Sequence, residues 1–427
     1  MSNLKISLSQ SRYILANINI ILLLVGYTLF TALFFGVTGN LDLEKTRGLS
    51  ILYRAFALLI ALLTILLNLK KPFLKNQNIK LYFFLWFLFS IRIIYDLFIR
   101  SSEVSPANTI YFFQFIFGGI LLPTIAVFMS YRNLNLKLIY YSVFFILILV
   151  VFKGVIINIV LTSVGLGRAQ MNLAQSTLTF GSFGGILALL SYSLLVAKKG
   201  MLKVKFLAFS TFCLGMLAVG IAGSRGPLFG VFFTILITFF SKNILTSIKF
   251  SFLIIIIGIV FGEVLLDLIE SNLPIFYDRI YNTIVNSSLG GRESVFEQAI
   301  DQIFSNPLLG DWFLLDRSDT SSIAHNAFLQ AAMCLGILGG ILNVYIYYVL
   351  FQKSIKIIQT STIYSFWGYA TLFYMIYSLT TGGSIYIKSD FNFAFLILLL
   401  ISSKTTNLYL EVFKNASITD AKNRFKN

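Results

Sequence analysis

The sequence predicts an all-α integral membrane protein of about twelve transmembrane helices, with one large extracytoplasmic loop between the ninth and tenth spans. Three observations predict it. Hydrophobic residues make up 57% of the 427 positions and charged residues only 12%, about half the charged share of a soluble globular domain. Apolar runs of spanning length recur along the whole chain, and basic residues gather in alternate connections between them.

A helix needs about 20 apolar residues to cross about 30 Å of hydrocarbon. Runs of that kind occur near 14–37, 50–69, 81–99, 110–130, 138–161, 173–197, 206–222, 226–241, 250–268, 326–350, 363–380 and 391–403. Lys5 and Arg12 precede a first run too long for the core of a cleavable signal, so it is read as the first span. The seventh and eighth runs are separated only by Gly223-Ser224-Arg225-Gly226-Pro227, which demands a tight turn.

Cytoplasmic loops collect Lys and Arg. Alternate connections hold Lys70, Lys71, Lys75 and Lys80; Arg132 and Lys137; Lys198, Lys199, Lys203 and Lys205; Lys242 and Lys249; and Lys353 and Lys356, with no acidic residue among them. The region 262–324 carries ten Asp or Glu against Arg279, Arg292 and Arg317. The expected topology therefore has both termini in the cytoplasm and the large loop outside. The same distribution accounts for the net charge of +16 as an orientation signal facing anionic lipid headgroups, with no nucleic acid implied.

The expected organisation is one polytopic membrane domain over 1–427, with 271–324 as an extracytoplasmic subdomain. Within it, Val295, Phe296, Ile300, Ile303 and Phe304 recur at helical spacing after Arg292, and Asn306-Pro307 stops the pattern. This predicts an amphipathic helix lying along the membrane surface. Cys213 and Cys334 lie inside apolar runs and are read as small packing residues. Arg92 and Asp96 stand four apart within a span, as a paired couple would, and Arg54 and Lys153 are read as internal or snorkelling. No P-loop, dinucleotide fingerprint or nucleophile triad is present, and a single histidine excludes a His-rich metal site. No cofactor is expected.

Four residues then stand out, because the predicted topology places all of them outside, where basic residues are least needed for orientation. Arg168 follows Val164-Gly165-Leu166-Gly167, Arg225 lies in the tight turn, Arg292 opens the large loop and His325, the only histidine, closes it. A guanidinium stays charged and offers a planar fork of donors that matches phosphate. Two or three of them at a membrane surface suit the diphosphate of a lipid-linked substrate. Taken singly, Arg168 also suits an interfacial anchor, Arg225 a helix cap and Arg292 a pairing with a loop carboxylate. An imidazole titrates near neutral pH, so His325 is the natural general base, with a backbone-bonded helix start as its plainer role. Downstream, Gly336, Gly339 and Gly340 fall on helical spacing, which in a span points to close helix packing.

These residues carry a resemblance. His325-Asn326, nine residues, Gly336, two residues and Gly339 resemble the signature shared by bacterial O-antigen ligases and O-antigen polymerases. Ser224-Arg225-Gly226-Pro227 is similar to a Ser-Arg-Gly element of that superfamily, and Gly291-Arg292 with Asn306-Pro307-Leu308-Leu309-Gly310 resembles the run leading into its histidine. The motifs cover about 165–340, and the span count covers the chain. The resemblance implies a GT-C-like, metal-independent glycosyltransferase in the bacterial inner membrane. Its donor and acceptor would be undecaprenyl-diphosphate-linked oligosaccharides, its surroundings membrane lipids, and its partner a chain-length regulator protein. By matching position, Arg225 and Arg292 would bind the diphosphate with help from Arg168, and His325, catalytic with Arg292, would orient or deprotonate the acceptor hydroxyl.

The polymerase reading leads, with the ligase, which transfers the glycan to lipid A-core, as its alternative. A lipid-linked oligosaccharide flippase is the alternative from another class. Transporters place charges along a central path, whereas here the polar inventory concentrates in one loop. A flippase would depend on Arg92 or Lys153 and tolerate loss of His325.

Overall fold

The computed structural model describes residues 7–34, 43–69, 76–100, 115–162, 177–197, 201–242, 293–313, 323–360, 362–380 and 389–402, with isolated positions between 248 and 281. Its helices are α1 (Leu8–Phe34, with a π turn at Leu22–Gly26), α2 (Leu43–Asn68), α3 (Gln77–Phe98) and α4 (Leu122–Ser130, entered through a π turn at Phe115–Leu121). They continue as α5 (Leu136–Thr162), α6 (Thr177–Val196), α7 (Leu202–Ile221), α8 (Arg225–Lys242), α9 (Glu293–Ser305), α10 (Ala327–Gln359), α11 (Ser365–Thr380) and α12 (Ser389–Ile401). Among the described residues, seven helices are long and apolar enough to cross a membrane. The chain is an all-α, multi-pass membrane protein. The ninth expected span, 250–268, lies for the most part outside the described residues.

Helix α6 sits at the centre of the bundle. It is apolar on every side and buried on every side, from Phe180 through Leu190, as a helix wrapped by others must be. It approaches α7 backbone to backbone: a Cβ on Gly184 would stand 2.7 Å from the Gly215 carbonyl oxygen, and Ala188 and Ala218 complete the seam. Small residues permit this approach, and in lipid such packing is a main source of helix association. Gly215→Val should therefore destabilise the bundle by about 1–3 kcal/mol, read as an earlier loss of the monodisperse peak when the detergent-purified protein is heated before gel filtration.

The helices alternate in direction. Gln359 Nε2 donates to the Ser241 carbonyl at 3.2 Å, Tyr140 and Ser193 hydroxyls meet at 3.0 Å, and Arg12 Nε donates to Leu67 O at 2.8 Å. The starts of α1 and α5 thus lie beside the ends of α2 and α6, and α8 and α10 end together. This is the lysine-rich end, with Lys137, Lys205, Lys242 and Lys356 near it.

The expected amphipathic helix is α9, and its apolar residues divide between two faces. Val295, Ala299 and Ile303 pack inward against the core, while Glu293, Glu297 and Asp301 are exposed. Ile300 and Phe304 are exposed at 40% and 77%, and Leu308 and Leu309 extend the same patch at 71% and 83%. In a membrane protein an outward apolar stripe faces lipid, so one helix carries a protein-facing and a lipid-facing apolar surface.

The largest departure from the sequence reading is in α10. Gly336 interrupts it with φ +72° and ψ −177°, and the chain doubles back there. Asn343 Nδ2 donates to the Ala327 carbonyl at 3.1 Å, although sixteen residues of continuous helix would separate them by about 24 Å. Helix α10 is therefore a hairpin of a short arm, α10a (327–335), and a spanning arm, α10b (337–359). The glycines are small for this reason: a Cβ on Gly340 would lie 3.1 Å from Ala332 Cβ, eight residues earlier, and one on Gly339 would strike Leu335.

Candidate functional site

The hairpin tip leaves backbone groups without helical partners, and in lipid these must be satisfied within the protein. The segment after α9 supplies the partners. Asp311 N donates to Met333 O at 2.7 Å, and Ile337 N donates to Pro307 O at 2.8 Å. Gly310, with φ +74°, lies against the backbone of Cys334 and Leu335, and Gly336 against the Leu308 carbonyl, so a Cβ on either would overlap main chain. The Asn-Pro-Leu-Leu-Gly run and Gly336 are thus two halves of one backbone joint.

Charges clamp the joint to α3. Arg100 Nη1 meets Asp311 Oδ1 at 2.6 Å, Arg92 Nε meets Asp96 Oδ1 at 3.1 Å, and Arg92 Nη2 reaches Asp311 at 4.0 Å. Arg92 Nη1 also donates to Gly310 O at 3.3 Å, Phe313 N donates to Asp96 Oδ2 at 2.8 Å, and the Arg100 guanidinium covers the Trp312 ring at 3.5 Å. Two cations and two anions balance, which is what lets them be held at 2% to 24% side-chain exposure. The Arg92–Asp96 pair expected from spacing is present, and Asp311 and Arg100 complete it.

His325-Asn326 lies at the far end of α10a from the joint. Asn326 caps that arm, its Oδ1 accepting from Phe328 N at 2.9 Å and Leu329 N at 3.2 Å, and its Nδ2 donates to Leu379 O at 3.3 Å. His325 has φ +49°, the left-handed region uncommon for a residue with a side chain. The residue is half-buried, with Nδ1 itself buried.

Arg225 begins α8. The preceding helix is closed without it: Gly223, at φ +57°, donates its N–H to Gly220 O at 2.9 Å, which is how a helix end is ordinarily finished. Arg225 instead stands at a helix start, the end whose dipole favours anions rather than cations. Gly181 of α6 abuts Pro227 and Ser224 beside it.

The packing brings Arg225 and His325 to the same end of the bundle. Phe373 lies against both Gly185 and Gly230, which sets α6, α8 and α11 level with one another. Six residues further along α11, about 9 Å, is Leu379, bonded to Asn326. Five residues back along α8, about 7.5 Å, is Arg225. Tyr377 bonding Leu178 O at 3.5 Å and Gly181 touching Pro227 show that both steps run the same way, away from the lysine-rich end. Arg168 and Arg292 lie outside the described residues; Glu293, the neighbour of Arg292, opens α9, which packs on α10.

Sequence reasoning missed Gln330 and Asn343. Both are fully buried: Asn343 bonds backbone across the hairpin, and Gln330 bonds the backbone of Phe313 and Ala324 outside it. They are the two amides of the apolar run 327–350, and that was the available signal, because an amide in a span needs a partner. Among the described residues, no three His, Cys, Asp or Glu side chains stand together as a metal-ligand set.

Fold and site together define a multi-pass helical membrane protein with a helical hairpin, whose short arm follows directly on a histidine at the same end of the bundle as an arginine-bearing helix start. No protein-family model matches the chain, and no curated protein matches it.

Proposed function

We propose that the chain is a lipid-linked glycan polymerase of the bacterial inner membrane, joining one undecaprenyl-diphosphate-linked oligosaccharide to another at the periplasmic face. In this reading it has about twelve spans in a GT-C-like arrangement, both termini are cytoplasmic, and the lysine-rich end faces the cytoplasm. The observation that supports it most is the shared level of Arg225 and His325 at the opposite end. Arg225, set against the dipole of its own helix, and the N–H groups beside it both favour an anion. The donor diphosphate would lie there, with Arg292 and Arg168 completing its cradle.

The reaction needs a base and a stabilised leaving group. The acceptor hydroxyl oxygen attacks the anomeric carbon, and the carbon–oxygen bond to the diphosphate breaks. The electron pair leaves on the lipid diphosphate, where guanidinium groups offset the charge. The hydroxyl proton passes to His325. With Nδ1 buried, that transfer runs through Nε2. A flippase reading is less well supported, because Arg92 is engaged in the clamp and Lys153 donates to the Ala32 carbonyl.

Complementation of a host lacking its polymerase tests the reading through polysaccharide banding. The parent should restore a ladder. His325→Ala should lower polymerisation about 100- to 10,000-fold, and Arg225→Ala and Arg292→Ala should each leave lipid-core bearing a single repeat. Lipid-core with no repeat in a host lacking its ligase, restored by this chain, would instead assign the ligase. Ladders of normal length from all three variants would remove the site.

A further inference from the structure

We propose that Gln330 is a positioning residue for His325, holding its imidazole at one place and orientation. The inference rests on the reading of His325 as the base, and goes beyond it by assigning what fixes that base.

Gln330 is fully buried, and both ends of its amide are engaged. Nε2 donates to Phe313 O at 2.7 Å, and Oε1 accepts from Ala324 N at 2.8 Å. One side chain thereby joins the described residues on either side of 314–322, and the second of these bonds is to the residue immediately before His325. On the first side the path continues: Phe313 N donates to Asp96 Oδ2 at 2.8 Å, inside the charge clamp. A continuous line of hydrogen bonds thus runs from a carboxylate of α3 through Phe313 and Gln330 to the backbone entering His325.

That backbone needs holding. A left-handed conformation in a residue other than glycine persists where its surroundings over-determine it, and such residues cluster at functional sites. Asn326 fixes the chain just after His325, through the cap of α10a and the bond to Leu379 O. Gln330 fixes it just before. Gln330 also sits one turn beyond Asn326, its N–H bonded to Asn326 O at 2.9 Å, so the same short arm supplies both restraints. Catalytic groups lose rate steeply when misplaced by about an ångström, and this arm carries its group on a backbone that would otherwise relax.

The single histidine makes the inference directly measurable. Protein purified through a tag without histidine and labelled with ¹³C,¹⁵N-histidine gives one imidazole spin system, that of His325. The parent should show one sharp set of resonances. Gln330→Ala should shift it or split it into several sets, and should lower kcat about 100-fold with KM for the donor within about twofold, because the diphosphate cradle is untouched. Gln330→Met keeps the length of the side chain and loses both the donor to Phe313 O and the acceptor for Ala324 N, so it should follow the Ala variant. Tyr82→Phe removes a buried hydrogen bond to Asn392 elsewhere in the bundle and should leave the resonances in place. If Gln330→Ala does not purify as a monodisperse protein, the Met variant decides. Parent-like resonances together with parent-like kcat in the Gln330 variants would overturn the inference. Full activity of His325→Ala would instead overturn the proposed function, while the resonances would still report whether Gln330 fixes the imidazole.

Discussion

Cysteines placed at Ala332 and Gly340, in a background with Cys213→Ser and Cys334→Ala, should form an intramolecular disulfide in the membrane on mild oxidation. In a continuous α-helix, positions eight apart are about 12 Å from each other along the axis, far beyond the roughly 3.5–4.5 Å between Cβ atoms that a disulfide tolerates. In the hairpin a Cβ at 340 would lie 3.1 Å from that of Ala332, so the arms need open only a few tenths of an ångström. The expected result is nearly complete protection of both thiols from a maleimide–polyethylene glycol reagent, reversed by reductant, with no dimer on a non-reducing gel. Full labelling of both thiols after oxidation would mean that α10 runs straight, and with it the placement of His325 would go. A cysteine pair at 340 and 348, both in α10b, is the internal control and should never cross-link.

What the sequence could and could not reveal about this region follows from the kind of signal each feature leaves. The turn between α7 and α8 was legible because Gly-Ser-Arg-Gly-Pro cannot continue a helix, and α9 was legible because its apolar residues recur with the helical period. The hairpin was not. Residues 326–350 have the hydropathy of one ordinary span, and a glycine there is as consistent with close packing as with a reversal; only the positive φ of Gly336 separates the two. The charge clamp shows a similar division. Arg92 and Asp96 announced each other by four-residue spacing, whereas Asp311 joins Arg100 from 211 positions away, and no local pattern encodes that meeting. For the site, the motif order singled out His325, Arg225, Arg292 and Arg168; the level of α8 with α11 sets the first two at one end of the bundle, and the other two lie outside the described residues. Gln330 carried only the faint mark of an amide among apolar neighbours.

The joint also explains why two glycines so far apart belong to one unit. Gly310 and Gly336 each carry main chain of the other's segment where a side chain would otherwise be, and each has a backbone conformation suited to glycine. Neither could change alone without displacing the other's partner. The charge clamp lies immediately beside them, so the loop carrying Gly310 is held from two sides: by hydrogen bonds to the tip of α10 and by ion pairs to α3.

Gly336→Ala should accordingly be among the most damaging single-methyl changes in the protein. The added Cβ would overlap the Leu308 carbonyl, which is backbone and cannot rotate aside, and alanine would also have to adopt φ +72° with ψ −177°, a region essentially reserved for glycine, at about 1–3 kcal/mol. Relief requires the tip to withdraw from the loop, which breaks the bonds from Asp311 N to Met333 O and from Ile337 N to Pro307 O. Each buried group so orphaned costs about 1–3 kcal/mol. The total is on the order of 5 kcal/mol or more, comparable to the whole stability of many domains. The expected readout is a loss of monodisperse protein well below the parent's melting temperature and a failure of the 332–340 cross-link in whatever folded fraction remains. Gly340→Ala is the informative contrast, because its Cβ would lie 3.1 Å from Ala332 Cβ, a contact that the two arms relieve by opening a few tenths of an ångström at about 1–3 kcal/mol. If Gly336→Ala proves as mild as Gly340→Ala, the positive-φ reversal is not what closes the hairpin.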